Sequence, residues 1–234
     1  VFMLDELDSY HAARDEAFEI PFPEDVDPDG LCALLYTSGT TSLPKGVKLT
    51  NGAITGYVMG TNDAATGEDM GRMALAAPLY HIAGVTSMLN ALYSGRVVVL
   101  LPQFEASAWI DCVQRHAVTH AFLVPTMLAR VLEAPNFSHE AFHCVEAITY
   151  GAAPMPPSVI RRAIAEFPPN VAFAGAYGQT ETTSTVAVLD PDDHVIEGSE
   201  EEKAVKLKRL SSVGKVLDDV EVRVVDEAGN TVGY

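Results

Sequence analysis

From Met73 onward, short apolar runs alternate with stretches whose apolar residues recur at helical spacing. Met73 to Gly95 carries no formal charge and reads as a strand followed by a helix. Val97 to Leu101 is a β-branched run closed by Pro102, and Glu105 to His116 then sets Trp109, Ile110 and Val113 on one helical face. His120 to Val124 predicts a strand, Thr126 to Glu133 a helix, and Val145 to Tyr150 another strand. Pro157 to Phe167 reads as a helix with proline in its first turn, followed by a strand over Val171 to Ala174. This alternation predicts an α/β fold: βαβ units, a mostly parallel sheet and flanking helices. Near the ends the pattern changes. Leu31 to Tyr36 reads as a buried strand, Val47 to Thr50 as another, and Val220 to Val225 as a strand entering a hairpin turn at Asp226 to Asn230. Asp190 to Leu210, rich in charge, reads as a long surface excursion.

At 234 residues, with 48% hydrophobic and 20% charged, the chain can bury a sizeable core. A formal net charge of −17 argues against a nucleic-acid partner, because phosphate backbones select basic faces. Three widely spaced cysteines, Cys32, Cys112 and Cys144, fit reduced, buried thiols and a cytoplasmic location. No basic segment of signal-peptide type opens the chain at Val1. Met73 to Gly95 contains Pro78, His81, Ser87, Asn90 and Ser94, too many polar groups for an integral membrane segment.

A parallel sheet gathers ligands at the carboxyl ends of its strands, so the following loops are where chemistry is expected. Tyr36 to Gly46 (YTSGTTSLPKG) follows a strand and is dense in hydroxyls and glycine around one lysine. Turned amides, the hydroxyls of Thr37, Ser38, Thr40 and Thr41, the freedom of Gly39 and the compact charge of Lys45 suit a polyphosphate. It is not the Walker A order, since Lys45 precedes Gly46 and no Ser/Thr follows the lysine to hold magnesium. The alternative is a surface turn, which uses the same residues. Gly175 to Glu181 (GAYGQTE) offers a ring, Tyr177, beside small residues, a hydroxyl, Thr180, and a carboxylate, Glu181, able to ligate Mg²⁺.

These segments resemble the acyl-adenylate-forming enzymes: acyl-CoA synthetases, beetle luciferases and the adenylation domains of nonribosomal peptide synthetases. YTSGTTSLPKG resembles their signature loop, with Ser42 where the family usually has glycine; a positive φ there would cost about 1 kcal/mol. Tyr177, Gly178, Thr180 and Glu181 match the family's YGxTE motif. Gly151-Ala152-Ala153-Pro154 looks like its adenine-lining loop, Pro78 to Gly84 (PLYHIAG) like its P-[LM]-[FY]-H-x-x-G segment, and Ser212 to Lys215 like its S-x-G-K segment. The resemblance covers most of the chain from Leu31 and is closest to an acyl-CoA synthetase.

The resemblance implies ATP- and Mg²⁺-dependent activation of a carboxylic acid to acyl-AMP, followed by transfer to CoA. Thr37 to Thr41 and Lys45 would hold the β- and γ-phosphates, Thr180 the α-phosphate and Glu181 the metal. Tyr177 would stack on adenine, with Gly151 to Pro154 and Gly178 around it. His81 would face the reacting carboxylate, with Ile82, Gly175 and Ala176 toward the acyl group. Amino-acid-activating members typically place an aspartate in the PLYHIAG region, which this chain does not. It further implies that residues 1–210 are part of the larger N-terminal domain and 211–234 the start of a small β-subdomain. The family's ribose-binding aspartate and its C-terminal domain with a catalytic lysine do not occur before Tyr234. The expected identity is therefore a fragment of the N-terminal domain, inactive or weakly active in isolation.

Other readings stay open: a nucleotide-binding module without catalysis, or an amino-acid adenylation domain. A remote one is a zinc hydrolase, because His139-Glu140-Ala141-Phe142-His143 satisfies H-E-x-x-H. Pro135 upstream and the strand-like Cys144 to Ile148 leave room for about one helical turn, capped by Ser138. His116 and His120 share the same spacing across a helix-to-strand change, which points them apart.

Overall fold

The computed structural model describes residues 25–37 and 44–232. Ser38, Gly39, Thr40, Thr41 and Ser42 lie outside the described residues. An antiparallel ribbon of β1 (Leu31–Thr37) and β2 (Lys45–Thr50) leads into α1 (Asn51–Thr61). The Thr50 hydroxyl accepts from the Ala53 N–H and caps α1, so strand passes to helix without a linker.

Then come β3 (Arg72–Leu75), α2 (Ile82–Tyr93), β4 (Val97–Leu100), α3 (Ala106–Arg115), β5 (His120–Leu123) and α4 (Pro125–Leu132). They are followed by β6 (Ala147–Gly151), α5 (Pro157–Glu166), β7 (Ala172–Gln179), β8 (Ser184–Leu189), α6 (Glu200–Arg209) and β9 (Lys215–Val216). The main sheet has seven strands in the order β4-β3-β5-β6-β7-β8-β9. Pairing is parallel from β4 to β7 and antiparallel for β8 and β9. The expected α/β fold with a mostly parallel sheet and flanking helices is thus the observed one.

Alternation along the strands sends side chains to two different layers. Ala74, Ala121, Leu123, Ile148, Tyr150 and Phe173 pack with Trp109, Leu128 and Ile160 of α3, α4 and α5. Met73, Leu75 and Phe122 pack instead with Ala91 and Met88 of α2. A third cluster joins Leu49 of the ribbon to Ile54 and Val58 of α1 and Ile82 of α2. Burying Trp109, Ile110 and Val113, as their spacing predicts, contributes about 1.5–3 kcal/mol each.

Several expectations are corrected. Leu31–Thr37 is a strand but not a buried one: the ribbon is covered on one face only, so Leu34 and Tyr36 are exposed while Ala33 and Leu35 pack inward. The strand read as ending at Ala174 continues to Gln179, so most of the expected loop from Gly175 is sheet. The charged excursion contains α6, started by a capping box in which Ser199 and Glu202 bond each other's backbone N–H, and it buries His194 and Leu210. Val220 to Val225 forms no strand; the hairpin turn is closed by the Asp226 carboxylate accepting from the Ala228 and Asn230 N–H groups. Cys32 is exposed and Cys112 and Cys144 are half-buried, all unpaired. Among the described residues no helix is long and apolar enough to cross a membrane.

Candidate active site

The described base of the first loop meets the second motif directly. Thr37 and Lys45 are cross-strand partners at the end of the ribbon. The Thr37 hydroxyl donates to Glu181 Oε1 at 3.2 Å. Glu181 sits in a single 3₁₀ turn, Thr180–Thr182, that caps β7. One cation, one hydroxyl and one carboxylate, distant in sequence, therefore share one exposed edge.

Backbone geometry brings them there. A Cβ on Gly178 would lie 1.6 Å from the Ser184 carbonyl oxygen, so only glycine lets β7 and β8 close at this point. A Cβ on Gly151 would meet the Ala176 oxygen at 2.4 Å. Ala152, Thr183 and Ser184 adopt positive φ, at 65°, 56° and 106°. Held strain of this sort costs about 1–3 kcal/mol per residue and concentrates at functional sites.

Behind this edge lies a cavity of about 410 Å³. Gly151 to Pro154 forms one wall, Gly175 to Gly178 another, and Ser211 to Val213 closes it. Tyr177 is more than half exposed, leaving its ring available to a flat ligand. Tyr150 supports the cavity from below: its hydroxyl donates to His194 Nε2 at 2.9 Å, while His194 Nδ1 donates to the Asp190 carbonyl at 2.8 Å. Burial pushes the Tyr150 hydroxyl up to about 12 and holds His194 below its ordinary value, so both stay neutral.

A second cavity, of about 230 Å³, lies between α2 and the sheet. Ala147, Thr149 and Ala176 are small and leave open the space beside Met73 and Phe122, which also line it. Thr86, Ser87 and Asn90 line it from one stripe of α2. Ala176 borders both cavities.

His81 is the exposed N-cap residue of α2, its ring 4.7 Å from that of Tyr80. Gly84 permits this turn, since a Cβ there would lie 2.2 Å from the Pro78 carbonyl oxygen. His81 lines neither cavity, and Ile82 is buried against Leu49, Ile54 and Val58. Gly175 lines the larger cavity, not the one beside α2.

The H-E-x-x-H stretch is a single 3₁₀ turn, His139–Phe142, capped by the Ser138 hydroxyl. At three residues per turn, positions four apart are rotated by roughly 120° instead of sharing a face. His143 bonds the Glu140 carbonyl and the Cys144 sulfur. Among the described residues no three His, Cys, Asp or Glu stand close enough to hold a metal.

The sequence motifs did not point to Tyr150, His194, Ser211 or the polar stripe of α2, whereas Ser212 and Val213 belong to the S-x-G-K segment. The available signal was the polar spacing of Thr86, Ser87 and Asn90 within an otherwise apolar helix.

The family model described as AMP-binding enzyme matches residues 2–234. The chain belongs to the AMP-binding enzyme family. Within this family it is 31% identical to the 2-succinylbenzoate–CoA ligase of Bacillus subtilis (strain 168), over 93% of this chain and 41% of that protein. It is 35% identical to a feruloyl-CoA synthase of an Amycolatopsis species, over 94% of this chain and 41% of that protein. The chain thus spans less than half the length of these curated relatives, which are acyl-CoA ligases. Among solved structures it resembles the O-succinylbenzoate coenzyme A synthetase of Bacillus subtilis in complex with ATP and magnesium ion. The TM-score is 0.74 and the identity 28%, covering 99% of this chain and 46% of that one.

Proposed function

We propose that the protein carrying this chain activates a carboxylic acid with ATP and transfers the acyl group to the thiol of CoA. The observation that supports this best is the Thr37–Glu181 hydrogen bond, which joins the strand leading into the lysine-bearing loop to the turn that follows Tyr177 and Gly178, two residues of the 410 Å³ cavity's wall.

In this reading adenine enters between Gly151 to Pro154 and Tyr177, and Thr180 donates to the α-phosphate. Lys45 and the loop from Thr37 to Thr41 receive the β- and γ-phosphates. The Thr37 hydroxyl and the Glu181 carboxylate are hard oxygen donors of the kind magnesium takes, and magnesium when bound would neutralise phosphate charge. The substrate carboxylate, already ionised, attacks the α-phosphorus with pyrophosphate as leaving group. The CoA thiolate then attacks the acyl carbon and expels AMP. Positioning and charge neutralisation are what the protein supplies. His81, the exposed residue at the head of α2, would turn to the substrate carboxylate and orient it.

Calorimetric titration of the chain with MgATP tests the site. Saturable binding that weakens in both Lys45→Ala and Glu181→Ala is expected. Equal affinity in wild type and both variants would overturn these roles.

A further inference from the structure

We propose that His194 is a positioning residue for the nucleotide: it ties β6 to the end of β8 beneath the larger cavity and so sets how firmly the adenine end is held. This rests on the adenylation reading above and deepens it. His194 does not line the cavity and acts through Tyr150, which does.

The first observation is a tie across the sheet. Tyr150, Gly175 and Leu189 are register partners on β6, β7 and β8, and all three line the cavity. A Cβ on Gly175 would lie 3.1 Å from the Tyr150 hydroxyl oxygen and 3.2 Å from the Leu189 Cβ. The Tyr150 side chain therefore crosses the bare backbone of the middle strand. Beyond it, the hydroxyl meets His194 in the 3₁₀ turn Pro191–His194, which follows β8. One hydrogen bond of 2.9 Å thus joins two strands that β7 separates.

The second is that the walls of the cavity converge on this turn. Tyr150 immediately precedes the Gly151 to Pro154 wall, so holding its side chain fixes where that wall begins. Gly175, beneath the Tyr150 side chain, begins the second wall. The Asp193 carboxylate takes Arg209 at 3.0 Å, and the Asp190 carboxylate stands 3.9 Å from Lys215. These two cations flank the closing segment, Ser211 to Val213.

The third is the direction of the bond. His194 Nδ1 donates to the Asp190 carbonyl, which leaves Nε2 a lone pair to accept the Tyr150 proton. A protonated ring carries N–H at both positions, so the buried Tyr150 proton would lose its acceptor. Around the ring stand Tyr150 of β6, the ring of Phe173 of β7, and Asp190 and Asp193 of its own turn. Arg209 of α6 and Lys215 of β9 reach it through those two carboxylates. Burial outweighs the carboxylates and holds His194 below its ordinary value. The neutral ring, which holds Tyr150, therefore prevails above about pH 6.5.

The test is titration of the chain with adenosine, which has no phosphate to titrate, at stepped pH wherever circular dichroism shows the native fold. MgATP is titrated in parallel at about pH 8, well above the histidine range. Adenosine affinity is expected to be constant above about pH 6.5 and to fall as pH drops below it. At about pH 8, His194→Leu and Tyr150→Phe should each bind adenosine about tenfold more weakly. His194→Gln, whose amide oxygen accepts from Tyr150, should restore most of that affinity and bind independently of pH. Equal affinity in wild type, His194→Leu and Tyr150→Phe would overturn the proposal. So would a His194→Gln variant as weak as His194→Leu, or a wild-type affinity that ignores pH. If His194→Leu does not fold, Tyr150→Phe and the wild-type pH series decide. Binding of MgATP without adenosine would overturn this proposal and leave the adenylation reading standing. Binding of neither would sink both.

Discussion

The Thr37 hydroxyl reaches Glu181 across 144 residues of sequence and 3.2 Å of space. The bond links the two-stranded ribbon β1–β2 to the turn that ends β7 of the seven-stranded sheet. Lys45, the cross-strand partner of Thr37, completes the edge. Hydrogen bonds to charged groups contribute about 1.5–3 kcal/mol. Thr37→Val should therefore weaken MgATP binding by about tenfold or more, read by calorimetry. An unaltered affinity would remove Thr37 from the site.

Gly178→Ala is expected to destabilise the fold, because the new methyl would meet the Ser184 oxygen at 1.6 Å and force β7 from β8. Overpacking of this kind costs about 1–3 kcal/mol or more, measured as a lowered denaturant midpoint. Gly67→Ala is the comparison. Nothing lies within 4 Å of its Cβ position, so its cost comes from its positive φ of 88° alone.

Tyr150→Phe removes the hydroxyl that His194 Nε2 accepts and leaves a buried ring nitrogen unpaired. A loss of about 1–3 kcal/mol in unfolding free energy is expected. No loss would mean that the pair does not support the cavity.

His194 also gives the fold a pH dependence. Burial holds its folded pKa below the unfolded value of about 6.5, so the unfolded chain binds this proton first as pH falls. Stability from this group is full above about pH 6.5 and declines as pH drops from there toward the folded pKa. Denaturant unfolding at stepped pH checks this, with a reduced slope in that window for His194→Gln.

The βαβ core was legible because each of its helices buries one apolar stripe and each strand alternates or runs apolar. Trp109, Ile110 and Val113 illustrate this. The Gly175 to Gln179 stretch was not, because a strand pressed against Tyr150 and Ser184 needs the same small residues as a turn. His194 and Leu210 were hidden within a charged segment whose helix directs most of its charge outward. The motif residues flanking the site could be read directly, since Thr37, Lys45 and Glu181 are needed for their chemistry. The lining of the second cavity could not. A polar stripe such as Thr86, Ser87 and Asn90 looks the same whether it faces water or an enclosed space.

Acid activation is tested most directly by exchange of labelled pyrophosphate into ATP, catalysed by the protein that carries this chain, with and without a panel of carboxylic acids. The account predicts exchange that requires an added acid and falls sharply in Glu181→Ala. Exchange that is absent across the panel, or that proceeds equally without acid, would contradict it.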